Sequence, residues 1–254
     1  MSFDVAADAY ARFMGRYSEP LAVEFAEALA IREGSTAIDV GCGPGALTAE
    51  LVRRLGTDAV AAVDPSESFV EAARERLPGV DIRLASAEAL PFDSDSVDLA
   101  VAQLVVHFMS DPVQGLAEMA RVAKRGGRVA ANVWDHAGEK GPLAVFWRAA
   151  RDLDPGVRDE SGLAGAREGH LAELFQTVGL HDIEAFPLTV RAGYADFETW
   201  WTTFTLGVGP AGEYVTGLDE SRRETLHRHC AQLLPTAGPF EITAVAWTAV
   251  GTVA

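Results

Sequence analysis

Residues 37–48 read AIDVGCGPGALT, and this is the most informative segment of the chain. A mostly apolar, strand-like run enters a turn with glycine at Gly41, Gly43 and Gly45, and a helical pattern starts directly afterwards. Glycines allow positive φ and leave the backbone open to a ligand, while a helix N-terminus adds unpaired N–H donors. The stretch predicts a strand–turn–helix unit that can cradle a ligand, although a glycine turn alone can also be purely structural.

A carboxylate follows at the end of the next strand-like run. Asp64 closes the apolar segment Ala61–Val63, 19 residues after Gly45. A carboxylate at the end of the second strand of such a unit can accept hydrogen bonds from both hydroxyls of a ribose, and it disfavours a 2′-phosphate. The alternative is a helix cap, although Ser66 already offers one. The two features together predict a nucleoside site.

The spacing of the glycines separates two kinds of nucleoside ligand. Dinucleotide loops favour G-x-G-x-x-G, whereas this turn has Gly41-x-Gly43-x-Gly45, with Pro44 inside it and Asp39 just before it. An acidic side chain repels a diphosphate and attracts the ammonium group of a methionine moiety. The residues therefore favour S-adenosyl-L-methionine (SAM) over a dinucleotide.

Outward from this stretch, strand-like and helix-like segments alternate, which predicts βαβ units and a parallel sheet with helices on both faces. Two long alternating stretches near the end, 183–192 and 240–253, predict antiparallel strands that close the sheet edge. The other predicted strands are 36–40, 59–63, 81–84, 97–102 and 127–134. The predicted helices are 20–31, 45–55, 67–77, 112–124, 142–153, 170–178, 196–206 and 219–234.

Composition bounds the partners and the compartment. The 254 residues carry a formal net charge of -16 and no run of Lys and Arg, so nucleic acid and anionic membranes are predicted to be poor partners. Cys42 and Cys230 make no disulfide framework. Neither a signal-peptide pattern nor an apolar stretch of about 18 residues is visible. The sequence therefore predicts a cytoplasmic protein without a membrane partner.

With its glycine turn and Asp64, the chain resembles the class I SAM-dependent methyltransferases over residues 35–135. The resemblance is closest to the small-molecule branch that includes the ubiquinone/menaquinone-biosynthesis C-methyltransferases. Five pieces carry it, in the order and at the spacing of that family: IDVGCGPG (38–45), VDPS (63–66), AEALPF (87–92), SVDL (96–99) and RVAKRGG (121–127).

The resemblance implies a doubly wound, Rossmann-like α/β fold with a seven-stranded, mostly parallel sheet, an antiparallel last strand and helical cap insertions. It also implies three parts. Residues 1–34 form an N-terminal helical segment over the cofactor site, 35–137 the SAM-binding core, and 138–254 the completion of the sheet with a helical substrate cover.

The resemblance further assigns cofactor contacts by position. The glycine turn is expected to line the methionine and ribose portion, Asp64 to hold the ribose hydroxyls, and Gln103 to present its backbone to the methionine portion. The family often carries Asp where this chain has Ser86, and a hydroxyl accepts from the adenine amino group more weakly than a carboxylate does. The expected cofactor contacts are Asp39, Gly41, Cys42, Gly43, Asp64, Pro65, Ser66, Ser86, Ala87, Glu88, Gln103, Tyr10 and Arg16.

The N-terminal stretch 10–20 is similar to the segment that folds over the cofactor in this family. Tyr10 or Tyr17 is expected near the sulfonium region and Arg16 at the cofactor carboxylate. The alternative is an amphipathic helix that only packs on the sheet.

Methyl transfer needs a positioned nucleophile and exclusion of water, and it needs a general base only when the acceptor must lose a proton early. His107 follows the fourth predicted strand and is the candidate base, with a structural histidine as the alternative. His227 and His229 lie two residues apart on a predicted helix and point to different sides. No metal site is predicted.

One predicted helix carries an aromatic face formed by Phe197, Trp200, Trp201 and Phe204, at the spacing of one helix side. This face is either ordinary core or the wall of an acceptor pocket, to which Phe146 and Trp147 could add. The sequence thus predicts methyl transfer from SAM to a small apolar or aromatic metabolite. The alternatives are a non-catalytic SAM-binding regulatory module and a nicotinamide-dependent oxidoreductase.

Overall fold

Seven strands form one sheet in the computed structural model, which describes residues 7–254. In chain order they are β1 (Ala37–Val40), β2 (Val60–Asp64), β3 (Asp81–Leu84), β4 (Val97–Gln103), β5 (Ala123–Trp134), β6 (His181–Tyr194) and β7 (Phe240–Thr252). Their spatial order is β3-β2-β1-β4-β5-β7-β6. The first five strands run parallel, and β7 is antiparallel to both of its neighbours. The predicted fold class is confirmed.

Helices connect the strands and cover the sheet. They are α1 (Ala7–Tyr10), α2 (Arg16–Ala28), α3 (Ala46–Leu55), α4 (Glu67–Arg76), α5 (Pro112–Val122), α6 (Ala144–Leu153), α7 (His170–Thr177), α8 (Phe197–Phe204), α9 (Gly209–Gly217) and α10 (Glu220–Leu233). Within the described residues, no helix combines the length and the apolar character that crossing a membrane requires.

The order of the strands places a crevice at the centre of the sheet. From β1 the chain moves outward to β2 and β3, then returns to pair β4 with the other side of β1. Ligands of open α/β sheets bind at such a switch point, outside the carboxyl ends of the strands. Residues that follow β1, β2 and β4 therefore meet at one edge.

Local sequence explains where several helices begin. Asp111 accepts a hydrogen bond from the Gln114 backbone N–H at 3.0 Å, and Pro112 occupies the first turn of α5. Asp196 and Asp219 cap α8 and α10 in the same manner.

The N-terminal helix begins earlier than predicted. A wider π-type turn, Ala11–Gly15, joins α1 to α2, so that Pro20 lies inside α2 instead of near a helix start. Proline has no N–H to donate to the carbonyl four residues back. That carbonyl belongs to Arg16, at the junction between the turn and the helix, where the helical bonding already changes.

The boundary between α5 and β5 also differs from the prediction, which extended the helix to residue 124. Ala123 is already extended and pairs with Val97 of β4, and the register shifts between Val97 and Leu99. A Cβ on Gly127 would lie 2.7 Å from the Lys124 carbonyl oxygen. Glycine at this position therefore allows the tight, irregular start of β5.

Helix α9 was not predicted, because its sequence contains Gly209, Gly212 and Gly217. Its buried side is nevertheless well packed: Ala211 and Val215 are at most 1% exposed. Tertiary burial outweighs the weak helical propensity of the segment.

The aromatic face of α8 is part of the core. Phe197, Trp200, Trp201 and Phe204 are all at most 7% exposed. The Phe204 ring stacks on Phe146 with centroids 4.4 Å apart. Of the two alternatives, ordinary core packing describes these four side chains.

Candidate functional site

A cavity of about 520 Å³ opens at the central crevice of the sheet. This volume lies in the range of small-molecule sites, about 300–1,000 Å³. Segments after β1, β2, β3 and β4 all contribute to its wall. The lining residues are Tyr10, Gly41, Gly43, Asp64, Pro65, Ser66, Glu67, Phe69, Ser86, Ala87, Glu88, Gln103, Leu104, Val105, Phe108, Met109 and Ser110.

The glycine turn forms the floor between this cavity and a smaller one of about 60 Å³, which Asp39 and Cys42 also line. Gly41 has φ +75, and a Cβ there would lie 2.5 Å from both γ-methyls of Val105. Gly43 has φ +54 and no atom within 4 Å of where a Cβ would stand. The first glycine is required by packing, whereas the second leaves open space above the backbone.

Asp64 is fixed by backbone donors at the end of β2. Its carboxylate accepts one hydrogen bond from the Gly43 N–H and one from the Ser66 N–H, both at 2.8 Å. Burial raises the pKa of Asp64, and these two hydrogen bonds oppose the shift. Each carboxylate oxygen keeps a second lone pair, so this preorganised group can still accept from a pair of ligand hydroxyls.

Asp39 lies deeper, beneath the turn, and is 1% exposed. The Thr48 hydroxyl donates to its Oδ2 at 2.6 Å. Burial raises the pKa of Asp39 to about 7, and the nearby charge of Asp64 adds to the shift. A cation bound in the adjoining small cavity would favour the ionised form of Asp39.

Gln103, at the end of β4, has one satisfied and one free polar atom. Its Nε2 donates to the Ser18 carbonyl at 3.0 Å, which ties α2 to the sheet. Its Oε1 is buried without a hydrogen-bond partner, and the residue lines both cavities. The side chain thus offers an acceptor, a role that the sequence analysis had given to the backbone alone.

The remaining predicted contacts after β2 and β3 also meet at the cavity. Pro65, Ser66, Ser86 and Ala87 line it. Glu88 lines it as well and accepts a hydrogen bond from the Ser110 N–H at 2.8 Å, which fixes the loop after β4.

Of the three residues predicted near the cofactor in the N-terminal segment, Tyr10 lines the cavity, whereas Arg16 and Tyr17 contact β6. Tyr10 reaches the cavity, where its ring lies 5.3 Å from that of Phe69 and its pKa is raised by burial and by the charge of Asp64. Arg16 points away: it donates to the Gly193 carbonyl at 3.0 Å and covers the Tyr194 ring. Tyr17 is hydrogen-bonded to the Tyr194 hydroxyl at 3.0 Å. The structure therefore brings Tyr10 to the site and holds Arg16 and Tyr17 against β6.

A different arginine lines the smaller cavity. Arg76, in the last turn of α4, lines the smaller cavity and forms a two-pronged ion pair with Glu19 at 2.6 and 3.0 Å. Sequence reasoning missed it because an arginine near a helix C-terminus has an ordinary structural explanation.

Leu104 was missed for a different reason. It has φ +61 and lines both cavities. Left-handed backbone at a non-glycine residue is uncommon and clusters at functional sites, but a leucine in the sequence carries no sign of it.

A third space, about 30 Å³, adjoins the large cavity through their shared lining residues Tyr10, Leu104 and Phe108. We call it the acceptor chamber. Its wall is mainly apolar, with three polar side chains on one side. The lining residues are Tyr10, Phe13, Met14, Leu104, His107, Phe108, Trp134, His136, Leu143, Glu160, Val208, Gly209, Pro210 and Ala211.

His107, the predicted base, is buried in the wall of this chamber, and its ring lies 5.9 Å from that of His136. Burial lowers the pKa of His107 well below its usual range and that of His136 to about 4, whereas it raises the pKa of Glu160 to about 7. His136 and Glu160 were not predicted. His136 follows β5, so the strand-end rule that selected His107 could also have selected it.

The surface histidines behave as predicted. His227 pairs with Glu198 at 2.9 Å and His229 with Asp152 at 2.8 Å, on separate neighbours. They do not converge.

The chain is similar in sequence to known methyltransferases. A methyltransferase-domain profile matches residues 38–131. The chain is 36% identical over 186 residues to an uncharacterized methyltransferase of Mycobacterium bovis, covering 72% of this chain and 70% of that protein. It is also 38% identical over 107 residues to an uncharacterized 37.1 kDa protein in transposon TN4556 of Streptomyces fradiae. That aligned region spans 41% of this chain and 31% of that protein.

Among solved structures, the YcgJ protein from Bacillus subtilis superimposes with a TM-score of 0.57 at 19% identity, over 93% of this chain and 97% of that one. This likeness concerns the fold.

Proposed function

This chain belongs to the class I SAM-dependent methyltransferases, and on that premise we propose that it methylates a small molecule held in the acceptor chamber. The observation that carries this proposal is the charge of the large cavity. Its lining includes the carboxylates of Asp64, Glu67 and Glu88, and neither Lys nor Arg is among the lining residues. Such a wall favours a cationic nucleoside over a diphosphate.

The residues present fit the cofactor of the family, S-adenosyl-L-methionine. We assign Asp64 to the ribose hydroxyls and the unpartnered Oε1 of Gln103, together with Asp39, to the ammonium group. We assign to Arg76 the contact with the cofactor carboxylate that was predicted for Arg16, because Arg76 lines the smaller cavity. When bound, the cofactor supplies an electrophilic methyl group on a sulfonium sulfur, which leaves as a neutral thioether.

The chain's own task is to position the acceptor and to exclude water. Tyr10, Leu104 and Phe108 lie between the large cavity and the chamber, so an acceptor in the chamber approaches the cofactor past these side chains. His107 stays the sequence-based candidate for a general base.

We propose a small apolar or aromatic acceptor because Phe13, Met14 and Val208 form much of the chamber wall. The open volume of about 30 Å³ is close to that of one or two water molecules. An acceptor must therefore displace side chains when it enters.

We also propose a place for the chain within the family and a division of the chain into three parts. The closest resemblance, to the ubiquinone/menaquinone-biosynthesis C-methyltransferases, is supported by the five sequence pieces that match in order. The division into 1–34, 35–137 and 138–254 is supported by the Tyr10 contact over the cavity and by the strands β6 and β7 that complete the sheet. Residues 1–6 lie outside the described part of the chain.

Calorimetric titration with S-adenosylhomocysteine tests the proposal. We expect binding to the native chain, a loss of at least about tenfold in affinity for Asp64→Ala because two charge-assisted hydrogen bonds disappear, and no change for the exposed-carboxylate control Asp58→Ala. Release of S-adenosylhomocysteine from SAM in the presence of a panel of phenols, carboxylic acids and quinols then identifies the acceptor class. Binding of NADH in place of the sulfonium nucleoside would contradict the assignment, and binding without turnover across the panel would favour a regulatory module.

A further inference from the structure

Three ligating side chains meet beside the acceptor chamber. One donor atom from each of His107, His136 and Glu160 lies within 4.8 Å of the other two. The three residues come from separate segments: a short helical turn after β4, the end of β5, and the loop after α6. Each is at most 9% exposed. Two imidazoles and a carboxylate therefore converge in the interior and are not part of a solvated surface cluster.

Both histidines carry an unsatisfied ring nitrogen. His107 Nδ1 and His136 Nε2 are buried without a hydrogen-bond partner. Such groups are rare in folded proteins, because a buried polar atom that lacks a partner is energetically unfavourable. A neutral imidazole ring presents one nitrogen lone pair, which is a common ligand for a metal ion. The two unpartnered nitrogens are therefore available to a ligand that enters from outside the chain.

A hydrogen bond from a neighbouring side chain fixes the Glu160 carboxylate. The Trp147 indole N–H donates to Glu160 Oε2 at 2.8 Å. Hydrogen bonds of this kind fix ligating groups at metal centres. The neighbouring arginine, Arg151, is engaged by Asp159 and Glu139. Within the described residues no ion pair to Glu160 is formed, so its charge is left for a cation.

We propose that His107, His136 and Glu160 bind one divalent transition-metal ion with an open coordination position toward the acceptor chamber. Two imidazoles and one carboxylate suit Zn²⁺, Fe²⁺ or Co²⁺, whereas Mg²⁺ and Ca²⁺ prefer oxygen ligands throughout. Bonds of about 2.0–2.2 Å in tetrahedral geometry place donor atoms about 3.4 Å apart. The three donor atoms already lie within 4.8 Å of one another, so small side-chain movements are sufficient for binding.

Three protein ligands leave room for a water molecule or for an oxygen atom of the acceptor. The acceptor part rests on the proposed function, whereas ion binding does not. As a ligand, His107 cannot accept a proton at the same nitrogen, so this proposal replaces the general-base role expected from the sequence. It also departs from the expectation that the chain has no metal site.

Metal titration of the untagged full chain, stripped beforehand with a chelator, tests the proposal. We expect one Zn²⁺ per chain by competition calorimetry, and visible ligand-field absorption when Co²⁺ is added. Glu160→Gln and His136→Gln should each weaken Zn²⁺ binding by more than about 100-fold, since even an outer hydrogen-bond partner is worth about 10–100-fold. His229→Gln, on the surface, is the matched control and should bind as the native chain does.

Glu160→Gln keeps an oxygen that can accept from Trp147, and a thermal melt of each variant checks that it folds. Absence of stoichiometric Zn²⁺ binding, or binding that persists in both ligand variants, overturns the proposal. S-adenosylhomocysteine affinity, measured on the same samples, reports the methyltransferase function separately. A chain that binds the nucleoside but no zinc refutes only the metal site, and one that binds zinc but no nucleoside refutes only the proposed function.

Discussion

Asp39→Asn is expected to stabilise the free protein at alkaline pH while weakening cofactor binding. Asp39 is 1% exposed, and the Thr48 hydroxyl donates a hydrogen bond to its carboxylate. An asparagine has almost the same volume, and its amide oxygen can still accept from Thr48. The substitution therefore removes a buried charge with little change in packing.

The magnitude follows from the pKa of Asp39, which burial raises from 3.8 to about 7. The folded state therefore holds a proton that the unfolded chain has released between pH 4 and pH 7. Stability falls as pH rises through this window, and the total cost at pH 8 is at most about 4 kcal/mol. The unpaired amide N–H₂ of asparagine costs about 1–3 kcal/mol at every pH.

Urea unfolding of native and variant protein at several pH values measures this difference. The other titrating groups contribute equally to the stability of both proteins, so their contributions cancel in the difference. The variant should therefore gain about 2–3 kcal/mol of unfolding free energy relative to the native chain between pH 5 and pH 8. At pH 8 the affinity for S-adenosylhomocysteine should fall about tenfold or more, because the ammonium loses a carboxylate that contributes about 1.4 kcal/mol or more.

Asp98→Asn is the matched control. The pKa of Asp98 is lowered to about 2, first by the ion pair with Lys124 and then by hydrogen bonds from Thr36. A lowered pKa contributes stability that is complete above about pH 4 and is lost only as pH falls toward 2. This variant should be less stable than the native chain by a constant amount between pH 5 and pH 8. A difference for Asp39→Asn that is equally flat would refute the reasoning about its burial.

Three further substitutions test separate parts of the site and core. Gly41→Ala should lower the free energy of unfolding by about 2–4 kcal/mol, because its Cβ meets Val105 and its φ is left-handed; chemical denaturation should show partial recovery in the double variant with Val105→Ala. Phe204→Ala should lower the free energy of unfolding by about 3–5 kcal/mol, because it leaves a cavity in the core. At low temperature, where the variant remains folded, its affinity for S-adenosylhomocysteine should be unchanged. A large loss of affinity would instead place Phe204 in the wall of the binding site. Gln103→Met should weaken that affinity about tenfold by removing the free Oε1, and calorimetry giving native affinity would exclude the side chain from the site.

Much of the cofactor site was predictable because its parts are local in sequence. The glycine turn and Asp64 each lie at the end of an apolar strand, and βαβ topology brings such ends to one edge of the sheet. Gly41 and Asp64 could therefore be assigned before the tertiary structure was known. The same locality explains why the mostly parallel seven-stranded sheet and its antiparallel closure by β7 agree with the prediction.

Choices between equivalent side chains were beyond the sequence. Of the two arginines, Arg76 lines the smaller cavity, whereas Arg16 donates to the Gly193 carbonyl. The direction of a side chain on a helix depends on how that helix is rotated against its neighbours, and α2 is held with Arg16 against β6. A one-dimensional pattern does not contain that rotation.

The alternation of strands and helices and the position of the glycine turn could be read from the sequence, since both follow from short-range periodicity and glycine conformation. The sequence does not show that His107, His136 and Glu160 share one buried space, or that the aromatic side of α8 belongs to the core; both become visible in the folded chain. Those contacts join segments that are distant along the chain, and their geometry depends on the packing of every element between them.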